Sequence, residues 1–181
     1  MTAQQSRRLV DRITDPSYLE DLTGRPIEAL RAMREECREG ENELSFERRL
    51  CQARIDILSA ELERRAGGGD EDLVSRLPEI LATEGVGSEG APLPSRAPDF
   101  SIPRNADIPR RRVEEIVGEQ TLTRLQSLEA EEIRAIVASL AEHEQTVSAK
   151  RKAVHEVVDE IQAEIVRRYT SGEADPAAAL S

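Results

Sequence analysis

Apolar residues fall into two long heptad runs. Ile27, Leu30, Cys37, Leu44, Cys51, Ile55, Leu58 and Leu62 form the first, and Ile133, Val137, Leu140, Val147, Val154, Val158, Ile161 and Ile165 form the second. Steps of three, four and seven sustained over many turns predict helices with a narrow apolar seam, each needing a partner helix. The first helix is expected over 27–66, because Pro26 suits a helix start and Gly67, Gly68 and Gly69 stop it. The second is expected over 129–169. Together they predict an all-α chain, a long antiparallel two-helix coiled coil with short flanking helices and a Gly/Pro-rich linker.

Punctuation residues divide the rest. Residues 1–26 read as an arm with a short helix that opens at Asp15-Pro16 and stops at Gly24. Residues 67–108 collect most of the Gly and Pro and read as a flexible linker, within which Leu73, Leu77, Ile80 and Leu81 offer a brief helix. A short helical segment is expected over 109–128 through Val113, Ile116, Val117, Leu122 and Leu125, and a disordered tail over 170–181.

Composition narrows the class. A chain with 2% aromatic and 34% charged residues suits long solvated helices better than a thick globular core. A formal charge of −11 disfavours direct binding to DNA or to an anionic membrane and favours a basic protein partner. No apolar run is long enough to span a bilayer and the first residues carry no signal-peptide pattern, so a cytoplasmic location is expected. Cys37 and Cys51 lie 14 positions apart on one helix, roughly 21 Å at about 1.5 Å per residue, too far for a mutual disulfide. His143 and His155 lack neighbours at metal-ligand spacing, and no nucleophile–base grouping or phosphate loop is present, so neither a metal nor catalysis is expected. Arg110, Arg111 and Arg112 read as a basic cluster facing solvent or an acidic partner.

The polar positions carry more information than the apolar ones. Residues 41–65 align without a gap on 144–168, an offset of 103 (144 minus 41), with 8 identities in 25. Glu41, Ser45, Arg48, Gln52 and Asp56 fall on Glu144, Ser148, Arg151, His155 and Asp159, while the apolar positions drift among Leu, Val, Ile and Cys. The repeat extends upstream, where Leu19, Leu22, Glu28, Arg31, Ala32 and Glu39 match Leu122, Leu125, Glu131, Arg134, Ala135 and Glu142. At about 100° per residue the five motif positions share a stripe about 80° wide on each helix. With Leu44, Cys51 and Leu58 at heptad d, Glu41 and Arg48 occupy a positions and interrupt the seam.

Such a set can recognise a nucleotide. A carboxylate accepts from the N1–H and N2–H₂ edge of guanine, and arginine fits guanine O6 and N7 or a phosphate as a fork. Antiparallel pairing brings the two copies face to face about a dyad, and a cyclic dinucleotide of guanine has its own twofold.

With those residues the chain resembles the RsiG family of actinobacterial anti-sigma factors, which respond to cyclic di-GMP. The family motif, Glu-x3-Ser-x2-Arg-x3-Gln-x3-Asp on each helix, is met at Glu41, Ser45, Arg48, Gln52 and Asp56, and at Glu144, Ser148, Arg151 and Asp159 with His155 as the one departure. The resemblance spans roughly 15–169. It implies a dimer of cyclic di-GMP bound across the paired motifs and a sporulation sigma factor of the WhiG type held inactive. An imidazole at 155 replaces one of the glutamine's hydrogen bonds but not both its donor and its acceptor. The competing reading is a structural coiled-coil adaptor that needs no ligand, its polar a positions setting register.

Overall fold

A computed structural model describes residues 9–67 and 101–174. The brief helix considered around residues 73–81, most of the linker and the last residues of the tail lie outside the described residues. Every regular element among the described residues is helical. The two long helices are α1, Ile27–Gly67, and α4, Ala130–Ser171; between them come α2, Asp107–Ile116, and α3, Glu119–Thr123.

Local chemistry fixes the helix ends. The Pro26 carbonyl accepts the N–H groups of Ala29 and Leu30, which opens α1, and Glu28 in the first turn with Arg64 and Arg65 in the last suits the helix dipole. Glu132 Oε2 accepts from Glu129 N–H at 2.8 Å, the reciprocal half of a capping box, just ahead of α4. Gly172 closes α4 at φ 74, a left-handed position that glycine enters without strain. The stretch after Asp15 forms two 3-10 turns, Pro16–Leu19 and Leu22–Gly24, with Asp21 between them at φ 57. Helix α2 begins two residues before Pro109, whose missing N–H costs nothing in a first turn.

The chain divides into two compact units, residues 1–45 with 148–181, and residues 46–147. In the first, Arg31 donates to the Tyr169 hydroxyl at 3.1 Å through Nε, and Arg34 to Gln162 Oε1 at 3.0 Å. Rising numbers on α1 meet falling numbers on α4, so this pairing is antiparallel. Its buried apolar residues include Val10, Ile13, Leu30, Cys37, Leu44, Val154, Ile161 and Ile165. In the second unit, Cys51, Leu58, Val113, Val117, Leu125, Ile133 and Leu140 make one core. Leu58 is fully buried there, so Leu58→Ala removes about 2–5 kcal/mol of stability by opening a cavity.

Every seventh residue of each seam is buried. The d stripe of α1 runs Leu30, Cys37, Leu44, Cys51, Leu58 and that of α4 runs Ile133, Leu140, Val147, Val154, Ile161. One heptad further each stripe ends on an arginine, Arg65 and Arg168. In the second unit Arg65 donates to the carbonyls of Leu128 at 2.6 Å, Leu125 at 2.9 Å and Gln126 at 3.3 Å, while its Nε donates to Glu61 Oε1 at 2.7 Å. In the first unit Arg168 makes the same set one repeat away: the carbonyls of Arg25, Leu22 and Thr23, and Glu164 Oε1 at 2.7 Å. A planar guanidinium with five donors thus gathers the carbonyls of a 3-10 turn, adding a second donor at Leu125 and Leu22, whose oxygens already accept from Leu128 and Arg25 N–H.

Two outcomes check this account. Glu61 and Glu164 are held at about 2, against an ordinary 4.5, chiefly by hydrogen bonds from Arg64 and from Arg167. Each therefore takes up its proton more readily in the unfolded chain. Their stabilisation is whole above pH 4.5 and is lost as pH falls toward 2, a slope that should flatten in Glu61→Gln when unfolding is followed by circular dichroism. Cys37 and Cys51 are free and buried, and burial pushes both thiols up to about 11. Labelling by a thiol reagent at pH 8 should be at least tenfold slower in native buffer than in denaturant; equal rates would contradict the burial.

Candidate functional site

Each unit holds one set of motif side chains, and each set draws on both copies of the repeat. In the first unit the acid comes from α1 and the arginine from α4. Glu41 Oε1 accepts from Ser45 Oγ at 3.2 Å, faces Arg151 Nη1 at 3.6 Å, and lies 3.0 Å from His155 Nε2. The last approach is close enough for an ion pair, but its angle misses a hydrogen bond, leaving Nε2 buried without one. In the second unit the roles cross over: Glu144 Oε1 on α4 faces Arg48 Nη1 on α1 at 3.8 Å. Exchange of acid and arginine between copies is what antiparallel pairing of a repeated stripe requires.

The remaining motif residues continue these faces. Gln52 and Asp56 lie on α1 beyond Arg48, both partly buried, and burial raises the Asp56 carboxyl above its ordinary value. On α4, Ser148 is partly buried and Asp159 is exposed. Equivalent positions therefore differ in solvation at the serines, Ser45 being buried, and at the aspartates. Among the described residues no three His, Cys, Asp or Glu side chains group as a metal site, and no helix is long and apolar enough to cross a membrane.

The motif arginines are held loosely compared with the others. Arg65, Arg112 and Arg54 reach carbonyl or carboxylate oxygens at 2.6 to 2.9 Å, whereas Arg48 and Arg151 face their acids at 3.8 and 3.6 Å. Among the described residues Arg48 Nε is buried without a hydrogen-bond partner, as is Arg34 Nε outside the motif. A buried donor without an acceptor is costly in a finished core and appropriate in a face that takes an acceptor from outside.

The pattern of the chain concealed several charged groups. Arg112, read as part of a basic cluster facing solvent or an acidic partner, meets an acid of its own chain, donating to Glu47 Oε2 at 2.9 Å, and Glu47 is 1% exposed. Arg110 does stay exposed, paired with Glu114 and Glu119. The Glu61–Arg65 and Glu164–Arg168 clusters were visible among the identities of the repeat, since Glu61, Arg64 and Arg65 match Glu164, Arg167 and Arg168. Glu47 gave no such signal, because its counterpart is Lys150.

Among the described residues the fold is all-helical and carries a duplicated polar stripe on two long helices. The model of one protein family, described as RsiG-like, matches residues 16–81 and 119–181, and the chain belongs to that family. It is a family of regulatory anti-sigma factors, which makes a sigma factor the class of partner. No curated protein matches the chain.

The geometry also bounds what the stripe contributes to folding. Ion pairs this long and about a third exposed on the arginine side are worth at most about 1 kcal/mol. Arg48→Gln and Arg151→Gln should each leave the denaturant midpoint nearly unchanged, while Leu58→Ala shifts it strongly.

Proposed function

We propose that this anti-sigma factor binds a sporulation sigma factor of the WhiG type in a cyclic-di-GMP-dependent manner, with a dimer of the ligand engaging both repeated motifs. The observation that carries this reading is the pair of loosely held arginines, Arg48 and Arg151, each facing an acid from the other copy. Glu41 and Glu144 would accept from guanine N–H groups, and the arginines would fork onto phosphate or guanine oxygens. Ser45, Ser148, Gln52, His155, Asp56 and Asp159 would complete the two sets. The unbonded Arg48 Nε fits such a ligand, since an anionic oxygen satisfies it.

The acidic chain suits the partner. A net charge of −11 complements the basic surfaces with which sigma factors meet DNA, and by linkage a ligand that tightens the complex is itself tightened by the sigma factor. Such a protein would act in the cytoplasm. The a-position pairs Arg48–Glu144 and Arg151–Glu41 also suit the second reading, a ligand-independent adaptor whose polar layer sets helix register.

Calorimetry separates the two. Titration of cyclic di-GMP into the protein, alone and with a WhiG-type sigma factor, should release heat. Arg48→Ala and Arg151→Ala should each weaken binding by at least tenfold, since a hydrogen bond to a charged group is worth about 1.5–3 kcal/mol. Absence of heat in both titrations, with sigma capture intact, would leave the adaptor reading standing.

A further inference from the structure

The two units part company at one buried carboxylate. Glu47 Oε1 lies 2.8 Å from His143 Nε2 and its Oε2 accepts from Arg112 Nη1 at 2.9 Å. The cluster ties α1, α4 and α2 together inside the second unit. Glu47 is the residue before Arg48, and His143 is the residue before Glu144. The cluster thus occupies the same helical turn as the loosely held pair, on the adjoining face.

One repeat away the same three positions are Lys150, Gly40 and Leu9. Among the described residues Lys150 pairs with Asp11, at 3.8 Å with both side chains about half exposed. Gly40 has no side chain, and a Cβ there would come 3.1 Å from Ile13 Cδ1, so at this point the lead-in segment meets α1 by apolar contact, while its polar ties, Arg12 and Tyr18 to Glu36, lie nearer the start of the helix. Such a contact strands no charge when it shifts, whereas displacement of a buried carboxylate leaves a charge without partners.

We propose that Glu47 is a positioning residue: by fixing Arg112 and His143 it holds the turns of α1 and α4 that carry Arg48 and Glu144 in one relation, while those two side chains stay loosely paired, and so makes the half-site of the second unit the tighter and first-filled of the two. This rests on the reading of the repeated motif as a site for cyclic di-GMP. Preorganisation is the physical reason, since a set already in place loses less conformational freedom on binding.

The chain supplies its own probes, because its two histidines lie one at each half-site. Imidazole carbon–proton signals followed by NMR during a titration with cyclic di-GMP should move first for His143 and at higher ligand for His155. Glu47→Gln keeps the shape and removes the charge. It should displace the His143 curve at least tenfold to higher ligand and leave the His155 curve where it was. Arg112→Gln, which keeps Glu47 bonded to His143, should displace it in the same direction by less, and serves if Glu47→Gln fails to fold. Simultaneous movement of both histidines in the native protein, or an unmoved His143 curve in both variants, overturns the proposal while the ligand reading stands. No movement of either histidine overturns the ligand reading and the ranking of half-sites with it.

Discussion

A guanidinium at the end of a hydrophobic stripe organises this molecule. Arg65 and Arg168 occupy the d position that follows Leu58 and Ile161, where a further leucine would simply continue the seam. Placing a charge there is costly unless every donor is used. The cost is met by a fixed acceptor set, three turn carbonyls and one glutamate, which no other arrangement of the local chain supplies. Because that set is directional, the 3-10 turn and the helix end must take one relation to each other. The apolar seam supplies most of the adhesion, and the arginine says where the seam stops.

Between those ends the polar a layer does something different. Its acids and arginines are long paired, partly solvated and individually worth little to stability. A coiled coil that sought only strength would place Leu or Val there, as Val137, Val158 and Ile165 do on the same stripe of α4. The helices therefore carry two kinds of charge, one buried and closely bonded, the other partly solvated and paired at longer range. Only the second kind can exchange partners without loss of the fold.

Helical class, the two seams and antiparallel pairing were legible because heptad spacing is a direct image of burial: Leu44, Cys51, Leu140 and Val154 were assigned to the core and are buried. The polar stripe was legible because duplication acts as an internal control, retaining Glu, Ser, Arg and Asp where apolar residues drifted. What stayed hidden were charges at positions that look solvated. Arg112 sits in a run of three arginines, and only the turn of α2 aims one of them at Glu47. Glu47 itself is a glutamate in a glutamate-rich helix, with a lysine as counterpart, so neither composition nor repeat marks it. The lead-in after Asp15 read as one helix, but Asp21 in the left-handed region divides it into separate turns that present carbonyls to Arg168.

The division into units has a consequence for how the chain comes into being. The second unit is one continuous stretch, 46–147, whereas the first joins the beginning of the chain to its end. Closing the first unit brings together segments separated by more than a hundred residues, as between Arg31 and Tyr169 or Leu22 and Arg168, and contacts at such separation form late. During synthesis the continuous unit can assemble while the rest is still being made, and the N-terminal segment waits with Leu30, Cys37 and Leu44 uncovered until α4 has emerged. One half of the duplicated stripe thus matures before the other, and a ribosome that stops early leaves a protein with one finished face and one exposed seam.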